Sequence, residues 1–120
     1  MSSAATRLAI YGTLAPGRSN HHQIAALSGR WLRGTVRGTL IEEGWGAALG
    51  YPGIILDTSA AAVEVQVLES PDLPNEWNRL DAFEGPGYRR VVTNVNTSEG
   101  EIEAQIYEIA NPIGPSTRPA

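Results

Sequence analysis

Apolar positions along this chain come in short runs, each cut by glycine or proline. Residues 8–11 form a first apolar run that stops at Gly12, which predicts a strand. Gly12, Pro16 and Gly17 mark residues 12–19 as a loop, and Asn20 is suited to cap a short helix over 20–27. Residues 31–41 read as a strand, with Gly34 and Gly38 as bulges or points of close backbone approach. A glycine-rich loop over 44–53 holds Trp45, Tyr51 and Pro52, and 54–56 make a short buried strand. Residues 62–68 alternate: Val63, Val65 and Val67 on one face, Glu64 and Gln66 on the other.

The second half opens with a loop and then a helix over 71–84. Pro74 suits the first helical position and Gly85 the residue just past the end. Residues 88–96 and 101–109 are two strands joined by a turn at 97–100, an antiparallel hairpin. Pro112, Gly114, Pro115 and Pro119 follow, so 111–120 is expected to be a flexible tail outside a single domain spanning 7–110. Five or six strands, two short helices, no internal repeat and no regular strand–helix alternation predict an α+β fold with a mostly antiparallel sheet or small barrel.

Composition narrows the chemistry. At 120 residues and 42% hydrophobic, the chain is long enough for one domain with a real core. The absence of cysteine removes disulfides, thiolate nucleophiles and cysteine-bound zinc. No apolar run is long enough to span a bilayer, and residues 1–6 lack the character of a signal peptide, so a cytoplasmic protein with no membrane partner is expected. The net charge of −4 argues against a nucleic-acid partner. Arg30, Arg33 and Arg37 cluster, but Glu42 and Glu43 follow, and a solvated strand face fits them better than a phosphate track.

Two features could carry chemistry. Leu73, Trp77 and Leu80 recur at helical spacing, and Glu84 projects onto the same stripe. A carboxylate at a helix C-terminus faces an unfavourable dipole, and desolvation acts in the same direction; both raise its pKa towards the range of a general acid–base. The other outcome of the same pattern is a helix that frays at Phe83, leaving Glu84 in solvent or paired with Arg89 or Arg90. The second feature is Tyr11-Gly12-Thr13-Leu14: amides exposed after a strand-ending glycine can hold a small anion such as a carboxylate, or simply form a turn. His21 and His22 are adjacent and unsupported as metal ligands; they fit an exposed helix start. No P-loop, nucleophile elbow or dinucleotide fingerprint is present. Trp45 and Tyr51 are either pocket or packing residues. Asp57, Asp72 and Asp81 lie near turns or helix ends, where solvation or capping is expected.

Taken in order, Tyr11-Gly12-Thr13-Leu14 with Pro16-Gly17 and Asn20-His21, then Tyr51-Pro52-Gly53, Asp81-Ala82-Phe83-Glu84-Gly85 and Tyr88-Arg89-Arg90 resemble the γ-glutamylcyclotransferase-like superfamily. Its members include γ-glutamylamine cyclotransferases and plant avirulence-induced proteins. The resemblance runs over 8–109 and implies a small mixed, mostly antiparallel barrel with a few short helices. It implies that the loop at Tyr11, Gly12, Thr13 and Leu14 binds the α-carboxylate of a small-molecule γ-glutamyl substrate through backbone amides, and that Tyr88 belongs to the site. Glu84 would be the acid–base residue in closing 5-oxoproline and freeing an amine, with no cofactor or metal. Gly85-Pro86-Gly87 is a shorter link to the tyrosine than is common in that family. Three functions remain open at this point: a cyclotransferase acting on a γ-glutamyl amine or peptide; a γ-glutamyl-removing step in tailoring a secondary metabolite; and a non-catalytic small-molecule or partner-binding module on the same fold. A buried Glu84 favours the enzymes, a solvated one the module.

Overall fold

The computed structural model describes residues 4–12, 17, 21–41 and 53–110. The candidate loop residues Thr13 and Leu14, the aromatic pair Trp45 and Tyr51, and the expected tail at 111–120 lie outside the described residues. Six strands form one sheet: β1 (Arg7–Ile10), β2 (Arg30–Ile41), β3 (Gly53–Leu56), β4 (Ala62–Glu69), β5 (Tyr88–Thr97) and β6 (Gly100–Ile109). Their order is β3-β2-β4-β1-β6-β5, and a further pairing of β2 with β5 closes five of them into a barrel, with β3 added outside on β2. All pairings are antiparallel except β1 with β6, so the barrel is mixed and mostly antiparallel. This is the α+β architecture expected from the chain.

The length of β2 lets it serve three neighbours. Residues from Arg30 to Arg37 pair with β4, those from Gly38 to Ile41 pair with β3, and Gly34 and Thr35 meet Thr97 and Asn96 of β5. Closure happens at Gly34. A Cβ there would lie 2.6 Å from Val95 Cγ1 and 2.7 Å from the Asn96 carbonyl oxygen, so the backbones meet only because no side chain intervenes. Gly38 is likewise a close approach, to the Ile55 carbonyl. Neither glycine interrupts the register of β2 against β4 and β3.

Two apolar layers hold the molecule together. Ala9, Val36, Ile54, Val65, Val67, Val95, Ala104 and Ile106 fill the barrel. Leu8, Ile10, Ile24, Leu68, Leu73, Trp77, Leu80 and Tyr107 form a second layer against its outer wall. β1 is buried on both faces, Ala9 inward and Leu8 and Ile10 outward, which is why it reads as a continuous apolar run and not an alternation.

The helix that covers the outer layer is shorter than the sequence suggests. A 3-10 turn, Leu73–Asn75, carries Pro74 in its first turn, and α1 (Trp77–Glu84) follows after Glu76 donates back to the Leu73 carbonyl. Gly85 ends α1 at φ +82°, a left-handed conformation that suits glycine, and its N–H donates to the Asp81 carbonyl. The helix expected over 20–27 is a 3-10 turn, His21–Gln23, continued by a single bond from Leu27 to the Ile24 carbonyl. Of its described residues only Ile24 is fully buried, so no apolar stripe rewards a longer helix. Arg30 is engaged by Glu69 and Glu99, Arg37 donates to the Ala60 carbonyl, and all three arginines of the cluster are exposed.

Candidate active site

The end of the barrel where β1 and β6 finish and β5 begins also receives the end of α1. Trp77 and Leu80 enter the outer layer, and the indole N–H of Trp77 donates to the Ala5 carbonyl at 3.0 Å, fixing the start of α1 against the chain before β1. The next position on that stripe is Glu84. Burial alone pushes its carboxyl up to about 7. Its charge is felt at the hydroxyls of Tyr11 and Tyr107, so it faces the end of the barrel.

Among the described residues, the two arginines that follow Glu84 in sequence are held by other acids. Arg89 donates to Glu108 at 2.7 Å. Arg90 grips Asp81 through Nε and Nη2, at 2.8 and 3.0 Å. Among the described residues, no side chain donates a hydrogen bond to the Glu84 carboxylate. Of the outcomes open from the sequence, the ion pair with Arg89 or Arg90 is thus not formed, and the carboxyl is desolvated instead of bathed in water.

Tyr11 is tied down on both sides. Its hydroxyl donates to the Tyr107 carbonyl and accepts from the Ile54 N–H at 3.2 Å, stitching β1 to β6 and β3. Burial raises its pKa far above the usual value, so the phenol stays neutral. Gly12 follows, half-buried, at the end of β1. Tyr88 is half-buried at the start of β5. Its ring packs on the outer layer and lies beside Gly53, where a Cβ would be in ordinary contact with Cε1 at 3.6 Å. Tyr11, Gly12, Glu84 and Tyr88 therefore gather at one end of the barrel.

Sequence reasoning missed the network beneath them. Asp81 is solvated as expected near the helix end, its side chain 41% exposed, but it is also a hub: besides Arg90, it accepts from the Tyr107 hydroxyl at 2.6 Å. These bonds hold its carboxyl below the usual range, the Arg90 contact foremost. Arg90 in turn donates to the Gln105 side chain and lies 4.5 Å over the Trp77 ring. The visible signal was the spacing of Asp81 and Glu84, three apart on one helix face. Asp57 and Asp72 do sit in turns, accepting from Ser59 and Ser28. His21 stacks loosely on Trp31, 5.8 Å between ring centres, and among the described residues no three His, Asp or Glu side chains cluster as metal ligands would. A separate open groove of about 480 Å³, lined by Arg33, Thr35, Gln66 and Asn96 among others, touches Tyr11 but not Glu84.

A mixed five-stranded barrel with a desolvated carboxyl at one end defines a class, and the family comparison agrees with it. Residues 8–119 match the model of the gamma-glutamyl cyclotransferase, AIG2-like family, and the chain belongs to that family. Among solved structures it is similar to YkqA from Bacillus subtilis at 26% identity and TM-score 0.68, covering 88% of this chain but only 36% of that protein. An AIG2-like protein from Mus musculus matches at 22% identity and TM-score 0.66, over 88% of this chain and 77% of that one. At5g39720.1 from Arabidopsis thaliana matches at 20% identity and TM-score 0.68, over 92% and 72%. The chain thus spans about a third of the Bacillus protein and roughly three quarters of the other two. No curated protein matches it in sequence. Among the described residues, no helix is long and apolar enough to cross a membrane.

Proposed function

We propose that the chain is a γ-glutamyl cyclotransferase-type enzyme that releases 5-oxoproline and a free amine from a γ-glutamyl amine or peptide, with Glu84 as general acid and base. The observation that carries this reading is the Glu84 carboxyl itself, desolvated at the barrel end and titrating near 7. A group with that pKa populates both its forms near neutral pH, so it can take a proton early in a reaction and return it later.

The chemistry is a ring closure within one molecule. Glu84 takes a proton from the substrate's α-ammonium. The freed amine attacks the γ-carbonyl carbon, forming the new C–N bond of the five-membered ring. The old γ C–N bond then breaks as Glu84 returns the proton to the departing nitrogen, and the ring nitrogen gives its second proton to the freed amine, leaving a neutral lactam and an ammonium. In this reading the amides of Gly12, Thr13 and Leu14 hold the α-carboxylate, and Tyr88 lines the site. Orientation adds to the rate, because nucleophile and electrophile are already tethered. No cofactor is called for, and the site takes a small molecule, with neither nucleic acid nor membrane as partner. A cytoplasmic setting belongs to the same reading.

The test is Glu84→Gln assayed for 5-oxoproline release on a substrate first found in a panel of γ-glutamyl amines and peptides. The amide is nearly isosteric but cannot accept the proton. Turnover should fall by about 10²- to 10⁴-fold, measured against the slow uncatalysed cyclisation. A variant with wild-type turnover overturns the mechanism. A wild-type protein that turns over nothing in a broad panel favours a binding module on this fold.

A further inference from the structure

Tyr11 follows the last residue of β1 and precedes Gly12, and its ring packs against the apolar filling of the barrel. Both partners of its hydroxyl are main-chain groups, so the direction of each bond is fixed. The Tyr107 carbonyl can only accept, and the Ile54 N–H can only donate. The single phenolic proton is therefore committed to β6, and the oxygen accepts from β3. Burial holds the pKa of this phenol well above the usual tyrosine value, so it does not act as a base near neutral pH. β3 is braced by this contact. Its ladder runs to β2 alone, and among the described residues its one hydrogen bond to another neighbour is the one from Ile54 to Tyr11. Gly53, at the start of β3, lies against the Ile109 side chain, where a Cβ would come within 2.5 Å of Cγ1, so β3 sits directly on the end of β6.

We propose that Tyr11 is a positioning residue: its hydroxyl braces β3 against β6 at the end of the barrel and so fixes the backbone at Gly12, without donating to the substrate. The inference rests on the reading of Gly12 as the first amide of an anion loop in a cyclotransferase site. A tyrosine side chain turns about two bonds only, so anchoring its oxygen at two main-chain points holds its Cα. The Gly12 N–H belongs to the peptide that leaves that Cα. Glycine has no side chain with which to anchor itself, and its backbone is the freest of any residue. Tyr11 thus supplies, from one side, the rigidity that Gly12 lacks. An amide aimed at a carboxylate is effective only while its direction is kept. With the phenolic proton already spent on Tyr107, recognition of the α-carboxylate falls to main-chain amides whose direction Tyr11 sets.

Tyr11→Phe removes one oxygen and both bonds while keeping the ring. In the unliganded protein, hydrogen exchange at the Ile54 amide should quicken by about fivefold or more beyond any change at Val65 and Val67 in β4. The Gly12 amide resonance should move or broaden. On a γ-glutamyl substrate found in the panel, KM should rise by roughly tenfold with kcat changed much less, because binding is lost evenly in the ground and transition states. A hydroxyl that touched the substrate directly would raise KM and leave the Gly12 resonance of the free protein as it was. A purely structural bond would speed exchange at all these amides alike and leave KM alone. Either result overturns the proposal. Should Tyr11→Phe not fold, Tyr11→3-fluorotyrosine takes its place, since it strengthens the donor and weakens the acceptor with little change of shape. The Ile54 and Gly12 amide resonances should then shift together, and a Gly12 resonance that stays in place overturns the proposal as well. The amide readouts need no turnover, so a protein that cyclises nothing in the panel counts against the cyclotransferase reading while this test still gives its answer.

Discussion

At pH 8 the Glu84 carboxyl is ionised in surroundings that resist ionisation, and the fold carries that strain. Its pKa is raised from 4.5 to about 7, so between those values the folded state holds more of this proton than the unfolded chain does. Stability then falls as pH rises through that window; the favourable contribution is complete below 4.5 and gone above 7. The full swing is on the order of 3 kcal/mol. Glu84→Gln should flatten this slope and, at pH 8, make the protein more stable than wild type, as read by denaturant unfolding at pH 5 and pH 8. A variant less stable at pH 8 would contradict the burial argument. On the active-site side, kcat/KM of the wild type should climb as pH passes about 7, since the free enzyme must present a carboxylate. Tyr88→Phe removes one hydroxyl from a half-buried ring. It should lower turnover while shifting stability by less than about 1 kcal/mol, and unchanged kinetics would make Tyr88 a packing residue.

α1 does for Glu84 what a loop could not. Its buried stripe of Trp77 and Leu80 clamps the helix to the barrel wall, which leaves Glu84 partly buried while Ala82 and Phe83 beside it are exposed. Leu80 is fully buried, so Leu80→Ala should cost about 2–5 kcal/mol. Because it loosens the clamp, the same change should lower the Glu84 pKa towards an ordinary carboxyl; a stability loss with the pKa unmoved would separate packing from desolvation. This element also shows what the sequence could and could not tell. The stripe was legible because helical period and apolar side chains agree from Leu73 to Leu80, and Gly85 ends the helix as its missing Cβ allows. The choice of partner was not. Glu84 and Asp81 are equally placed for Arg90 on paper, and only the packing of β5 and β6 under the helix decides for Asp81. The helix expected at 20–27 failed for a related reason: propensity and a cap residue suggest it, but a single buried side chain, Ile24, gives it little to pack on.

Across the whole molecule, the strands were legible from local patterns, since each is a short apolar or alternating run, and the β5–β6 hairpin needs no distant information. Closure was not, because it depends on two contacts between remote segments: Gly34 against Val95 and Asn96, and β1 beside β6. Gly34→Ala should therefore be harmful in spite of its small size, costing about 1–3 kcal/mol as the new methyl forces β2 from β5. Thermal unfolding reads this, and a neutral result would mean that the barrel closes less tightly there. The pairing of β1 with β6 reaches further. The first and last strands are inserted side by side in the middle of the sheet order, so Leu8 must wait for Gln105 and Ala9 for Ile106. During synthesis at about 5–20 residues per second, β1 and β4 can meet early, but the side of β1 meant for β6 stays open until β6 has left the ribosome. Folding dominated by such remote pairings runs in roughly milliseconds to seconds. A ribosome-stalled chain ending at Glu99 should remain protease-sensitive, and the same chain extended beyond Ala110 and clear of the exit tunnel should become resistant in one step.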